Sequence, residues 1–128
     1  TSSGIGIPIV SSEKTEYLLG GAGNIASNLI SFSKQVYCFG NIAPDYFGSK
    51  MISMMKDQRI QYINKDSKNK RTGIRRRIYI ESEQVLRLDY DCKEQLDVKK
   101  LKAFLKKTTV LHVLIQHQLN GFVPFLCF

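Results

Sequence analysis

Apolar residues recur at helical spacing in three segments of the chain, with polar and charged residues at the intervening positions. The three segments span about positions 24–32, 47–58 and 96–105. Their apolar positions are Ile25, Leu29 and Phe32, then Phe47, Met51, Met54 and Met55, and finally Leu96, Leu101, Phe104 and Leu105. Because this spacing places apolar side chains on one face of a helix, the pattern predicts three amphipathic helices, the last of them basic.

Compact apolar runs rich in β-forming residues lie between and beside these helices. The predicted strands are an edge strand at 5–10, a buried strand at 36–39, a short strand at 61–63 and a hairpin of 74–80 with 85–90, and a last apolar run occupies 110–115. The first is assigned to an edge because Pro8 cannot donate to a central ladder. Strands that alternate with helices indicate an α/β fold with a parallel sheet, to which the hairpin is an antiparallel addition.

Composition narrows the class of protein and its surroundings. The 128 residues are 43% hydrophobic and 23% charged, which is typical of one soluble globular domain. A net charge of +8 favours an anionic partner such as a nucleotide, a sugar phosphate, a nucleic acid or an anionic surface. The cysteines Cys38, Cys92 and Cys127 form no Cys-x-x-Cys pair, which argues against a disulfide framework or zinc site. With no secretory pattern in the first ten residues, we expect a cytoplasmic protein.

A glycine-rich turn precedes the first predicted helix. It reads Gly20-Gly21-Ala22-Gly23-Asn24 and leads directly into the apolar-periodic segment. Without Cβ atoms in the way, the backbone N–H groups of such a turn can approach a polar ligand, towards which the helix directs its positive end. This arrangement suits a sugar or a phosphate. The alternative is a tight turn that binds nothing.

Four motifs follow one another in a consistent order. They are the glycine loop 20–28, the strand 36–39, the segment Ala43-Pro44-Asp45-Tyr46-Phe47-Gly48, and a hairpin that carries Arg75-Arg76-Arg77 and ends in Gln84-Val85-Leu86-Arg87-Leu88-Asp89. Together they resemble the N-terminal half of ribokinase-type (PfkB) carbohydrate kinases, especially the heptose 7-phosphate kinase half of bifunctional ADP-heptose synthesis proteins. The resemblance covers roughly residues 5–107 and implies a partial ribokinase-like parallel sheet flanked by helices, with an antiparallel lid hairpin.

The resemblance also implies roles for individual residues. Gly20 and Gly21 would let the backbone approach the sugar, and Asn24 would hydrogen-bond its hydroxyl groups. Asp45 would lie near the bound sugar or steady the loop that does. Two features of the family are changed before this aspartate: Ala43 replaces a glycine and Pro44 replaces the first aspartate of a pair, which predicts a displaced loop.

The hairpin would form part of a lid that excludes water from the bound substrate. Arg77 and Arg87 would be candidates for holding the phosphate already present on the substrate, because a guanidinium fork matches phosphate oxygens. The alternative for both arginines is a solvated strand face. Arg76 replaces a threonine that is typical of this strand in the family.

No catalytic residue or metal ligand is assigned in this chain. The family keeps its catalytic base in a Gly-Ala-Gly-Asp motif of the C-terminal half, and no such motif occurs here. ATP and Mg²⁺ are the cofactors that the family implies, but this fragment gives little reason to expect their binding, and we do not expect it to be active alone. His112 and His117 are five positions apart, which suits neither a helical nor a strand pair of metal ligands.

The chain divides at residue 107. Residues 1–107 are the kinase-like part, and 108–128 are an apolar tail without charged residues, which we interpret as divergent sequence from a truncated or frameshifted reading frame. A membrane span is not expected in this tail, because Gln116, Gln118, Asn120 and Pro124 interrupt it.

Two other functions remain as alternatives to a sugar kinase fragment with a sugar phosphate as its partner. One is a small basic nucleic-acid-binding module, whose phosphate-contacting strip would be Lys68, Lys70, Arg71, Arg75, Arg76 and Arg77. No recognition-helix or aromatic RNA-binding pattern accompanies this strip, so nucleic acid is not the expected partner. The other is a non-catalytic interaction protein that forms a homodimer through the lid hairpin.

Overall fold

The fold is mixed, with helices packed beside a small sheet and a separate hairpin. The computed structural model describes Gly6, Ile9 and residues 11–63, 71–91 and 97–107, together with two short backbone strands near the end of the chain. The helices are α1 (Ala22–Leu29), α2 (Tyr46–Asp57) and α3 (Val98–Lys107). The strands are β1 (Val36–Phe39), β2 (Ile60–Tyr62), β3 (Ile74–Ile80), β4 (Glu83–Tyr90), β5 (Leu114–Gln116) and β6 (Phe125–Cys127).

The sheet has the strand order β2-β1-β6-β5. β1 and β2 are parallel, with Val36 opposite Ile60, and α2 lies between them in the chain. β6 runs antiparallel to β1, with Cys38 opposite Cys127, and β5 runs antiparallel to β6. β3 and β4 form a two-stranded antiparallel sheet of their own. The predicted combination of a parallel pair with an antiparallel hairpin is therefore confirmed at this level.

The core lies between the sheet and the first two helices. β1 is buried because β2 and β6 flank it and α1 packs over it with the small side chains of Ala22 and Ala26. The buried cluster consists of Ala22, Ala26, Val36, Cys38, Ile42, Met55 and Ile60. Leu19, Leu29, Ile30, Met51 and Tyr62 pack against it. This core holds two loops in place, one that precedes α1 and one that follows β1. These loops carry the candidate site.

Tyr62 pins the loop after β1 to the end of β2. Its hydroxyl donates to the Gly40 carbonyl at 3.0 Å and accepts from the Ile42 N–H at 3.2 Å. Burial raises the pKa of Tyr62 to about 12, although the hydrogen bond from Ile42 acts in the opposite direction. The loop that leads to Asp45 therefore leaves the sheet in a defined direction.

The third helix is capped and attached to the sheet. The Asp97 carboxylate accepts hydrogen bonds from the backbone N–H groups of Lys99 and Lys100, both at 3.1 Å, at the start of α3. The ring of Phe104 lies edge-on to that of Tyr37 in β1, with centroids 5.3 Å apart. Within the described residues, none of the helices has the length and apolar character required to cross a membrane.

Most predicted elements occur within two or three residues of their expected positions. β4 begins at Glu83 and not at 85, because the hairpin turn uses only Glu81 and Ser82. Glu81 adopts a left-handed φ of 56° there. Several predictions lie outside the described residues: the edge strand at 5–10 apart from Gly6 and Ile9, Lys68 and Lys70 of the basic strip, Leu96, and the tail side chains, including both histidines.

Candidate functional site

Asp45 joins the start of α2 to the segment that leads into the hairpin. It is the N-cap residue of α2, and its Oδ1 accepts a hydrogen bond from the Gly48 N–H at 2.7 Å. The same oxygen accepts from the Thr72 hydroxyl at 2.7 Å, and Oδ2 accepts from the Thr72 N–H at 2.8 Å. Both carboxylate oxygens are thus occupied, so Asp45 holds this loop in place, and its direct contact with a sugar stays a prediction.

Thr72 and Gly48 complete the same network. Thr72 is buried, and its hydroxyl accepts from the Ala43 N–H at 3.1 Å while it donates to Asp45. A Cβ at Gly48 would lie 2.0 Å from the Ala43 carbonyl oxygen, a distance that no side chain tolerates. The Asp45-x-x-Gly48 motif therefore combines a helix cap with a close backbone approach, and the cap is present even though Pro44 precedes it.

The hydrogen bonds to Asp45 determine its ionisation. Partial burial by itself would raise the pKa of Asp45, but the donors on Thr72 and Gly48 outweigh it and lower the pKa below the usual aspartate range. The carboxylate is therefore charged at neutral pH. Since both of its oxygens accept hydrogen bonds, it is a structural anion and not a free base.

The glycine turn before α1 is open at Gly20, where an added Cβ would meet no atom within 4 Å. The Gly20 carbonyl accepts from the Gly23 N–H at 3.0 Å, which closes the turn. Gly21 is the N-cap residue, with φ 51° and ψ −122°, a combination that side chains disfavour, and it supplies no side-chain cap. Asn24 is exposed, and its side chain forms no hydrogen bond within the described part of the chain. The turn thus presents open backbone at Gly20 and the exposed amide of Asn24 at a helix start.

A cleft of about 400 Å³ lies between the first turn of α2 and the base of the hairpin. Its lining residues are Asp45, Tyr46, Phe47, Arg71, Thr72, Ile74, Arg76 and Tyr90. Tyr17 lies beside this cleft, next to Tyr46. Its hydrogen bond with Tyr46 is the largest of the influences on the pKa of Tyr17 and raises that pKa. The Lys50 ammonium group also lies over the Tyr17 ring, 5.1 Å from its centroid.

One face of the hairpin carries an arginine cluster around Asp89. In the β3–β4 register, Arg75 lies opposite Asp89 and Arg77 lies opposite Arg87. Asp89 Oδ2 is 2.6 Å from a nitrogen of Arg75 and 2.6 Å from one of Arg87. These neighbours, Arg87 foremost, lower the pKa of Asp89, and Asp89 in turn raises that of Arg87. Arg87 therefore has an intramolecular anion, whereas Arg77 forms no ion pair within the described residues.

The cleft lies against the other face of the hairpin. Side chains alternate between the faces of a strand, so Arg76 points away from Arg77 and shares its face with Ile74. Both of these residues, together with Tyr90, line the cleft. The structure thus places Arg77 and Arg87 on the side opposite to the cleft, and their contact with a substrate phosphate remains a prediction.

The predicted site residues lie in three places: the glycine turn, the cleft beside Asp45, and the hairpin face of Arg77 and Arg87 opposite to the cleft. Gly20, Gly21 and Asn24 lie at the glycine turn, and Tyr17, three positions before Gly20, connects that segment to the cleft beside Asp45. Thr72 and Tyr17 were missed as site residues. Neither has a local signal in the sequence, because the partners of both are distant along the chain.

Comparison with known proteins supports the resemblance in part of the chain. The chain is 31% identical over 100 residues to the bifunctional protein HldE of Helicobacter acinonychis and to that of Helicobacter pylori strain HPAG1. It is 26% identical over 100 residues to the bifunctional protein HldE of Sulfurimonas denitrificans. The match takes up 77% of this chain but only 22%, 22% and 21% of those relatives. The chain thus spans about a fifth of the length of the curated relatives it matches.

These similarities confirm the predicted resemblance. HldE is the bifunctional heptose 7-phosphate kinase/ADP-heptose synthase, and this chain is similar to a segment of it. No family model matches the chain. No solved structure matches it either.

Proposed function

We propose that this chain is the substrate-loop segment of a ribokinase-type carbohydrate kinase related to HldE. In the whole protein, the reaction would transfer the γ-phosphate of ATP to D-glycero-D-manno-heptose 7-phosphate, in the synthesis of ADP-heptose for lipopolysaccharide. The observation that carries the proposal is the 31% identity to HldE over 100 residues. The odd number of cysteines without a paired motif agrees with a cytoplasmic location for this reaction.

The glycine turn supports the binding of a hydroxyl-rich ligand. Its backbone is open at Gly20, where an added Cβ would meet no atom within 4 Å. The first turn of α1 has no side-chain cap at Gly21, so no side chain occupies the positive end of the helix dipole there. Asn24 adds an exposed amide that both donates and accepts. A sugar hydroxyl, which also donates and accepts, fits this combination.

The catalytic step is not assigned to residues of this chain. ATP, when bound, would supply the phosphoryl group, and Mg²⁺ would neutralise charge on its phosphates. In the described part of the chain, no group of three or more His, Cys, Asp or Glu residues is arranged to hold a metal ion. The contribution proposed for this chain is therefore binding and orientation of the sugar.

A chimera tests the proposal. The segment of Helicobacter pylori HldE that matches this chain would be replaced by the corresponding 100 residues, and ATP-dependent phosphorylation of the heptose 7-phosphate would be assayed. We expect a folded chimera with measurable kinase activity, and we expect Asn24→Ala in the same chimera to raise the KM for the sugar. A folded chimera that binds ATP but phosphorylates no heptose 7-phosphate would overturn the proposal.

We also propose that the hairpin mediates a homodimer. Its tip exposes a group of large apolar side chains, with Ile80 47% and Leu86 48% exposed, and a monomer leaves such a group in water. Sedimentation equilibrium would test this. We expect a dimer for the natural sequence and a monomer for Leu86→Lys, while a monomer for both would contradict the proposal.

A further inference from the structure

We infer that the cleft between α2 and the hairpin binds a phosphate monoester, and that Arg71 and Arg76 hold its anionic group. The cleft measures about 400 Å³, and both guanidinium side chains line it. Identifying the bound anion as the phosphate of the sugar substrate rests on the proposed function. The presence of an anion site does not depend on it.

The fold orients both arginines. Arg76 is directed to the cleft because it alternates with Arg75 and Arg77, which lie on the opposite face of β3. Arg71 is positioned by Tyr90, since its Cζ lies 4.7 Å from the centroid of that ring. A stacked guanidinium keeps its N–H donors free at the edge, where they can reach oxygens in the cleft.

Within the described ranges, no close anion neutralises the charge of these two arginines. Neither Arg71 nor Arg76 forms an ion pair with any residue in the described ranges, in contrast to Arg87, which is bound to Asp89. The carboxylate in the cleft belongs to Asp45, and both of its oxygens already accept hydrogen bonds from Gly48 and Thr72. Among the described lining residues, two guanidinium groups and one carboxylate leave a net positive charge.

The remaining walls suit the organic part of a phosphate ester. Tyr46, Phe47 and Tyr90 present apolar ring surface beside the two arginines. Tyr17, which is hydrogen-bonded to Tyr46, precedes Gly20 by three residues, and three residues of chain reach at most about 11 Å. The segment that leads into the glycine turn therefore passes beside the cleft.

Arg76 is the residue that carries this inference. The register explains why Arg76, and not the neighbouring Arg77, is the arginine that meets the ligand.

Binding measurements on the 128-residue chain test the inference. Inorganic phosphate, sedoheptulose 7-phosphate and ATP would be titrated by isothermal calorimetry into the natural sequence and into the variants Arg71→Gln, Arg76→Gln and Arg77→Gln. Circular dichroism would confirm that each variant is folded. We expect Arg71→Gln and Arg76→Gln to weaken phosphate binding by about tenfold or more, because charge-assisted hydrogen bonds are lost. Arg77→Gln, the matched control on the other face, should change it by less than about twofold.

The outcomes separate the inference from the proposed function. Equal weakening by all three variants, or none by Arg76→Gln, would overturn the anion site, since binding would then follow overall charge. An Arg76-dependent site that binds the sugar phosphate more tightly than inorganic phosphate or ATP supports both proposals. An Arg76-dependent site that prefers ATP assigns the phosphate to a nucleotide. An Arg76-dependent site that binds the sugar phosphate no more tightly than inorganic phosphate supports the anion site and argues against the proposed function.

Discussion

The carboxylate of Asp45 binds both the backbone N–H and the hydroxyl of Thr72, which lies 27 positions later in the chain. The two contacts, at 2.8 and 2.7 Å, fix the start of the hairpin against the start of α2. The cleft lies between these two elements, so its width depends on this one carboxylate. Asp45 thus acts on a ligand indirectly, through the walls that it holds together.

Replacing Asp45 should destabilise the protein at neutral pH and remove part of its acid sensitivity. Asp45→Asn loses the charge and one of two acceptors, and we expect a cost of about 1–3 kcal/mol in the free energy of unfolding. Because folding lowers the pKa of Asp45, its contribution is present above the ordinary aspartate value and is lost as pH falls through the folded value. Urea unfolding between neutral and acid pH would measure both effects. If the free energy of unfolding fell equally for both proteins as the pH is lowered, this role would be contradicted.

Variants of Thr72 provide the matched control. Thr72→Ser keeps the hydroxyl that contacts Asp45 and Ala43, whereas Thr72→Val keeps the shape and removes it. We expect Thr72→Val to be less stable than Thr72→Ser by about 1–2 kcal/mol. Thr72→Val combined with Asp45→Asn should cost less than the sum of the two changes, because they share one interaction.

Gly48→Ala should be severely destabilising, whereas Gly20→Ala should not. A Cβ at Gly48 would meet the Ala43 carbonyl oxygen at 2.0 Å, while a Cβ at Gly20 meets nothing within 4 Å. We expect a loss of about 3 kcal/mol or more for the first change and within about 0.5 kcal/mol for the second. Thermal unfolding of both variants would measure this. Similar melting temperatures for the two variants would show that Gly48 does not lie this close to the Ala43 carbonyl oxygen.

The sequence predicts the elements of this fold better than the relations between them. The bounds of β1 and β3 match their predictions: β1 is a continuous apolar run, β3 has isoleucine on both sides of its three arginines, and turn residues flank both strands. The alternation along β3 also implies that Arg76 and Arg77 lie on opposite faces. Which of those faces meets the rest of the protein is a tertiary property, and the pattern of one hairpin does not contain it.

In the candidate site, too, the sequence predicts local features but not contacts between distant residues. The glycine turn could be predicted because positive φ and close approach have a local signature in glycine itself. The network around Asp45 could be predicted only to the cap with Gly48, three positions away. Its partner Thr72 comes from a different part of the chain, and a lone threonine before a strand carries no sign of burial. The family resemblance identifies the motif but leaves this contact unassigned.

Tyr62→Phe should loosen the loop that leads to Asp45. The change removes the acceptor of the Ile42 N–H and the donor to the Gly40 carbonyl, and we expect a cost of about 1–2 kcal/mol. Folding raises the pKa of Tyr62 to about 12, so its contribution is present below the ordinary tyrosine value and is lost as pH rises towards the folded one. When both proteins are titrated with alkali and followed by ultraviolet absorbance, the difference between the two curves should show one tyrosine ionising near that pH. Equal stability and identical alkaline titrations would count against the pinned loop.

Glu81→Gly should stabilise the hairpin. Glu81 is the first of two turn residues between β3 and β4 and adopts a φ of 56°, which costs a residue with a side chain about 1–2 kcal/mol. Glycine adopts this conformation freely and is favoured at the first position of a two-residue turn, but it loses more entropy on folding. We therefore expect a net gain of about 0.5–1 kcal/mol. Ser82→Gly is the matched control, since Ser82 has no positive φ, and it should be neutral or destabilising. Hydrogen exchange of the β3 and β4 amides would measure both. Faster exchange in Glu81→Gly than in the natural sequence would mean that the turn is not strained.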